Sequence, residues 1–278
     1  MGGNYKLLKD GTVAQGFVEL TEDGHIASPV PFFQQDLIGN ARNYYPDRSR
    51  GFTFGKKTGL GNVLSDLWGG PTELYVFPAA PVQMSVVSTS ANDTANGTGM
   101  RAVRIHYLDH NYQPQITDVT LNGLTPVLTT PTDILRVNGM HAIAVGSNIV
   151  SVGAISLTAN GTTYGYIYAG DNTARQAIFT VPDGVWGYID HWQASSGSSG
   201  NHFCQTILAA TTHDGILFPG VPLLQDEQGT QNGGNIIPFP IPIPIPPKTD
   251  VRIAALADQT NAGVTALGAI MGWFEPVA

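Results

Sequence analysis

No stretch of this chain sustains a 3.6-residue apolar period, and this most narrows what it can fold into. From Val63 onward, short runs rich in β-branched and aromatic residues alternate with Gly, Asn, Asp and Pro, the pattern of strands joined by turns. Val86–Gly123 is the clearest instance. Val86 and Val87 close one apolar run, and Ser88 to Gly99 supplies small and polar residues. Met100 to Leu108 then alternates Ala102, Arg104 and His106 with Val103, Ile105 and Tyr107, giving one face to a core and one to water. Strands are expected near 73–77, 82–87, 101–108, 116–121, 125–129, 134–137, 140–145, 149–157, 163–169, 175–180, 185–192, 203–211, 250–257 and 263–274, some of them halves of one bent strand. The best helical candidate is a turn or two over Asn62 to Trp68, where Asn62 could cap and Val63, Leu64 and Leu67 share a face. Many strands with no helices between them predict an all-β fold, an antiparallel jelly-roll-like β-sandwich.

Two regions break the rhythm. Residues 1–62 are punctuated by Gly11, Gly16, Gly24, Pro29, Pro31, Gly39, Pro46, Gly51, Gly55, Gly59 and Gly61, a spacing expected to exclude helices and long strands. Phe17, Phe32, Phe33, Tyr44, Tyr45, Phe52 and Phe54 nevertheless make the segment too aromatic for a disordered linker. We read it as an extended N-terminal arm that lays its aromatics on a neighbour or on its own sandwich, with 63–278 as the sandwich domain. Within 219–247, a polar glycine-rich loop from Gln225 to Asn235 precedes the run Pro238-Phe239-Pro240-Ile241-Pro242-Ile243-Pro244-Ile245-Pro246-Pro247. Alternate prolines remove every second backbone donor and fix φ, so the run is polyproline-like or an edge strand. Ile241, Ile243 and Ile245 still require burial, which a stiff strap packed across the sandwich or onto a neighbouring subunit provides.

Composition bounds the function. At 278 residues the chain accommodates one large sandwich with appendages. Charged residues make up 12%, about half the usual share, so a large surface covered by neighbours is expected. A formal net charge of -8 with scattered basic residues argues against nucleic acid, whose phosphates need clustered Lys and Arg. Only Arg42 to Lys57, with Arg48, Arg50, Lys56 and Lys57, concentrates positive charge, suiting contact with an acidic partner surface. The single cysteine, Cys204, excludes an internal disulfide and reads as a buried inert thiol. The N-terminus has no signal-peptide character and no run approaches a membrane span, so cytoplasmic synthesis and assembly are expected.

Candidate chemistry is sparse. His106, Asp109 and His110 form an HxxDH cluster, but two residues four apart on a strand lie about 13 Å from each other, too far for one metal ion unless a turn intervenes. Asn92, Asp93 and Asn96 could offer oxygens to calcium, yet the spacing suits loop capping better. Ser195, Ser196, Ser198 and Ser199 lie near Asp190, His191 and His202 without the constrained turn of an activated serine. Paired carboxylates of glycosidase type would need a cleft, and Asp190, Asp214, Asp226 and Glu227 are candidates by their presence alone. Trp186, Tyr188 and Trp192 would line one strand face, as core or as a sugar platform. No catalytic, cofactor or metal residue is assigned.

The order SxSxxDTxxGTGxRxVxIxxLDxxY, present as Ser88, Ser90, Asp93, Thr94, Gly97, Thr98, Gly99, Arg101, Val103, Ile105, Leu108, Asp109 and Tyr112, resembles a pattern recurring in virion structural proteins of tailed bacteriophages. Thr120-Leu121-Asn122-Gly123, Arg136-Val137-Asn138, Gly146-Ser147-Asn148, Val152-Gly153, Val181-Pro182-Asp183-Gly184 and Lys248-Thr249-Asp250-Val251 continue it, so the similarity runs from about Val63 to the C-terminus. The resemblance implies a particle component: a non-enzymatic capsid decoration or cement protein, assembled in the host bacterial cytoplasm. Its partners would be other copies of itself, as a trimer, and the major capsid protein or another virion protein, with no cofactor, nucleic acid or membrane. The second expectation is a fibre or receptor-binding module recognising a host glycan through Trp186 and Trp192. Phe32, Phe33, Tyr44, Tyr45, Arg48, Phe52, Phe54, Ile241, Ile243 and Ile245 are the expected interaction residues.

Overall fold

The computed structural model describes residues 48–213, 223–260 and 262–277. The chain divides into two units, Met1–Arg50 and Gly51–Ala278, and nearly all described residues belong to the second. In chain order its strands are β1 (Ser49–Leu60), β2 (Ser65–Asp66), β3 (Ser85–Ser88), β4 (Met100–Leu108), β5 (Pro114–Thr120), β6 (Val127–Leu128), β7 (Arg136–Val145) and β8 (Ile155–Ala159). They continue as β9 (Thr162–Ile167), β10 (Ile178–Thr180), β11 (Val185–Gly197), β12 (Cys204–Thr212), β13 (Leu223–Thr230), β14 (Gly233–Ile245), β15 (Thr249–Ala257) and β16 (Val264–Pro276).

Two sandwiches share this chain. One sheet has the order β1-β16-β11-β14 and a second the order β10-β15-β12-β13, with β2 also paired to β15. Counted one to eight along the chain, leaving out β2, these strands run 1-8-3-6 and 2-7-4-5, the order of a jelly roll. Leu60, Ile189, Trp192, Ile245, Val264 and Ile270 from the first sheet meet Cys204, Leu208, Val251 and Ile253 from the second in one core. Between the first and second jelly-roll strands the chain inserts a smaller sandwich, with sheets β5-β4-β7 and β6-β3-β8-β9. Its core gathers Val86, Val103, Ile105, Val119, Met140, Ile155 and Leu157. The all-β antiparallel class expected from the run-and-turn pattern is therefore the class of the fold.

Several local expectations are corrected. The glycine punctuation of residues 1–62 does not exclude a long strand at its end: β1 is the first strand of the jelly roll, so the sandwich starts before residue 63. Gly55 fits there because an added Cβ would strike the Leu67 carbonyl and the Ala177 backbone. Asn62 to Trp68 forms no helical turn; Ser65 and Asp66 pair with Ala255 and Ala254 of β15. The expected loop from Gln225 to Asn235 is instead most of β13 and the start of β14, which lie in different sheets and are joined by a turn at Gln231 and Asn232, where Asn232 takes φ 48. Residues 73–77 and 149–154 are irregular, and 134–137 with 140–145 merge into β7, bulged against β4.

Candidate functional site

The motif residues gather at two buried carboxylates. The first is Asp93, which is fully buried. Its Oδ1 accepts from the backbone N–H of Met100 (2.8 Å) and Val152 (2.9 Å), and its Oδ2 accepts from Ser88 Oγ (2.6 Å) and the N–H of Gly153 (2.7 Å). Around it, Ser88 Oγ accepts from the N–H of Ser90, Gly123 N–H donates to the Asp93 carbonyl, and the N–H groups of Gly146 and Asn148 donate to the carbonyls of Gly99 and Thr98. A Cβ on Gly99 would overlap the Asp93 carboxylate, and one on Gly153 would press on the Ser90 N–H. The glycines are glycines because loop backbones stack on this carboxylate. With both oxygens occupied by donors, and Asn92 and Asn96 exposed, Asp93 caps the loop rather than offering oxygen to calcium.

The second carboxylate is Asp250 of β15, also buried, at the junction of the two sandwiches. Arg136 Nε of β7 donates to its Oδ1 over 2.9 Å, Thr180 Oγ1 donates to the same oxygen over 2.5 Å, and His213 Nε2 lies 2.6 Å from Oδ2. Burial would raise this carboxyl, but His213, the Arg136 charge and Thr180 together hold it below the ordinary carboxylate range. Asn138 bonds both ways with the Thr180 backbone at 2.8 Å, and Lys248 pairs with Asp183 at 3.1 Å. A second buried pair, Arg252 with Asp66 at 3.0 Å, flanks it; here burial prevails and the Asp66 carboxyl is raised. Phe77 lies between the two guanidiniums, 5.0 Å from Arg136 and 5.1 Å from Arg252. Sequence reading missed Asp66, Phe77, Arg252 and His213, because partners so distant along the chain leave no local signal.

The candidate reactive groups are engaged elsewhere. His106 stacks on His141 of β7 with ring centroids 5.1 Å apart, while the β4–β5 turn carries His110 away, its Nδ1 3.3 Å from Asp133 Oδ2. Asp190 lies 2.6 Å from His191 Nδ1, while Ser196 bonds with Thr230 and Ser198 with Asn232. Asp226 accepts from Trp192 Nε1 and Glu227 from Gln205; Asp214 lies outside the described residues. Burial pushes the Cys204 thiol up, away from the reactive thiolate. The expectation that Trp186, Tyr188 and Trp192 share a face is corrected by a bulge at Asp190. It reverses the alternation, so Trp192 enters the core at 0% exposure while Tyr188 stacks on Trp273 at 5.4 Å.

The interaction residues divide in the same way. Phe32, Phe33, Tyr44 and Tyr45 lie outside the described residues, as does 219–222 of the strap; Arg48 is half-buried. The proline-isoleucine run is an edge strand, as its missing donors require. Ile189 pairs with Ile243 and His191 with Pro238, so Phe239 to Pro242 bulge out opposite Asp190 alone. Ile245 is therefore buried and Ile243 packs against the core, while Ile241, at 83% exposure, stands at the bulge. Beside this edge the β1-β16-β11-β14 sheet carries an open concavity of about 490 Å³ lined by Phe52, Phe54, Ser195, Ile236 and Leu267. Ile236 and Leu267 are 68% and 44% exposed. No helix among the described residues is long and apolar enough to cross a membrane.

No protein-family model and no curated protein matches the chain. Among solved structures it is similar to the infectious bursal disease virus Gt strain structure (12% identity, 84% of this chain and 78% of that chain, TM-score 0.18). The VP2 subviral particle of the same virus gives 10%, the same coverage and the same TM-score. The T13 particle of that virus gives 11%, 88% of this chain, 80% of that chain and a TM-score of 0.17, and none of these values defines a family.

Proposed function

We propose that this chain is a non-enzymatic structural component of a bacteriophage particle, a capsid decoration or cement protein that self-associates and binds the capsid lattice. The observation that carries this reading is the exposed apolar margin of the jelly roll, where Ile236, Ile241 and Leu267 stand 68%, 83% and 44% exposed. A low-charge chain with its motif residues consumed by two structural carboxylates, and with this margin left at the surface, fits a subunit that adds to others. Many weak contacts of that kind multiply into avidity on a lattice.

The test is sedimentation of the purified chain, alone and with capsids lacking it. The parent is expected to form a small closed oligomer, a trimer, and to pellet with capsids. The variant Ile236→Ser/Ile241→Ser/Leu267→Ser should keep its melting temperature and lose both. A parent that stays monomeric at all concentrations and ignores capsids overturns the reading. Turnover of host polysaccharide that disappears in Asp190→Asn would overturn its non-enzymatic part. Of the two anchors of the glycan alternative, Trp192 is in the core, which leaves Trp186.

A further inference from the structure

We infer that the turn joining β4 to β5 and the loop leading into β7 form a binding site for a divalent transition-metal ion of the zinc type, with Asp109, His110 and Asp133 as ligands. The ligand atoms of these three side chains all lie within 4.8 Å of one another. The His110 Nδ1 to Asp133 Oδ2 separation of 3.3 Å matches the edge between two ligands that each stand about 2.0–2.2 Å from a tetrahedral ion.

Asp109 is held for this role by its own turn. Its Oδ1 accepts from the N–H groups of Asn111 (2.8 Å) and Gln113 (3.0 Å), and Gln115 Nε2 donates more weakly to Oδ2 at 3.3 Å. Asp133 reaches in from a segment 23 residues away. Among the described residues no Lys or Arg ion pair reaches either carboxylate; His110 alone pairs with Asp133. Two carboxylates brought together without a fixed cation repel each other, and an ion would relieve this.

The donor set selects the ion class. One imidazole nitrogen with two carboxylate oxygens suits zinc and its transition-metal neighbours, whereas calcium and magnesium favour all-oxygen sets. Three protein ligands on an open surface leave further positions to water. The bound ion would clamp the β4–β5 turn to the segment that immediately precedes Arg136. The inference is independent of the particle reading.

The experiment uses the full chain, stripped with chelator and titrated with zinc chloride while heat of binding, melting temperature and the histidine ring signals by NMR are followed. Saturable one-to-one binding, a raised melting temperature and a shift of the His110 signal are expected. His110→Ala, at an exposed position, and Asp133→Asn, at a half-buried one, should lose the binding and the thermal shift while keeping the parent's metal-free melting temperature. His141→Ala should retain both. Calcium chloride should produce no thermal shift. Absence of saturable zinc binding by the parent, zinc binding undiminished in His110→Ala, or a shift of the His106 and His141 signals in place of His110 would overturn the site.

Discussion

Arg136 Nε lies 2.9 Å from Asp250 Oδ1, across 114 residues of sequence and between strands of different sandwiches. Arg136 also donates to the carbonyls of Pro78 and Leu135, at 3.0 and 2.9 Å. Its charge is thus fully engaged in a region almost closed to water. The pair ties the inserted sandwich, through β7, to the jelly roll, through β15.

Removing one partner leaves the other charge buried and unpaired. Arg136→Met and Asp250→Asn should each lower unfolding free energy by about 3–5 kcal/mol. The double variant Arg136→Met/Asp250→Asn should cost less than the sum of the two. Urea denaturation of the three proteins checks this, and strict additivity would separate the two residues energetically.

Acid should act on the two buried carboxylates in opposite senses. Asp250 is held below its unfolded value, so its contribution is present above about pH 4 and is lost as pH falls through its folded value. Asp66 is raised, so its protonation on acidification favours the folded state. Melting temperature followed downward from about pH 6 should fall less steeply in Asp250→Asn and more steeply in Asp66→Asn than in the parent.

The Asp93 loop tolerates no added atom where backbones meet the carboxylate. Gly99→Ala should cost at least about 2 kcal/mol, and Asp93→Ala about 4 kcal/mol or a failure to fold. Gly139→Ala, where a Cβ meets nothing within 4 Å, should stay within about 0.5 kcal/mol of the parent. Thermal and urea unfolding of the series reads this order directly.

Along β14 the isoleucines should separate by position. Ile245→Ser removes a core side chain and should cost about 2–3 kcal/mol, whereas Ile241→Ser should leave stability unchanged within about 0.5 kcal/mol. Equal effects of the two on melting temperature would contradict the bulge at Phe239 to Pro242.

Deletion of residues 1–50 should leave a folded protein, because the described residues of both cores all lie beyond that point. Deletion of 1–60 removes β1 and bares the edge of β16, and should lower the melting temperature sharply. Circular dichroism during heating distinguishes the two truncations.

What was legible in the sequence was what is local. Alternation along Met100 to Leu108 marked β4, the prolines after Ile237 limited that run to a polyproline-like segment or a sheet edge, and the absence of a helical period set the all-β class. Motif residues such as Ser88, Asp93 and Gly99 could be recognised as a pattern. The reason for the pattern, a single carboxylate gathering four donors from three segments, exists only in three dimensions. Tertiary structure alone decided that β1 opens a jelly roll whose second strand comes only after an inserted sandwich. Nothing between Leu60 and Ile178 announces that the chain will return to the same sheets. It also decided the direction of Trp192 and Ile241, because one bulge at Asp190 reverses a period of two, and a bulge is set by the neighbouring strands rather than by the residue that carries it.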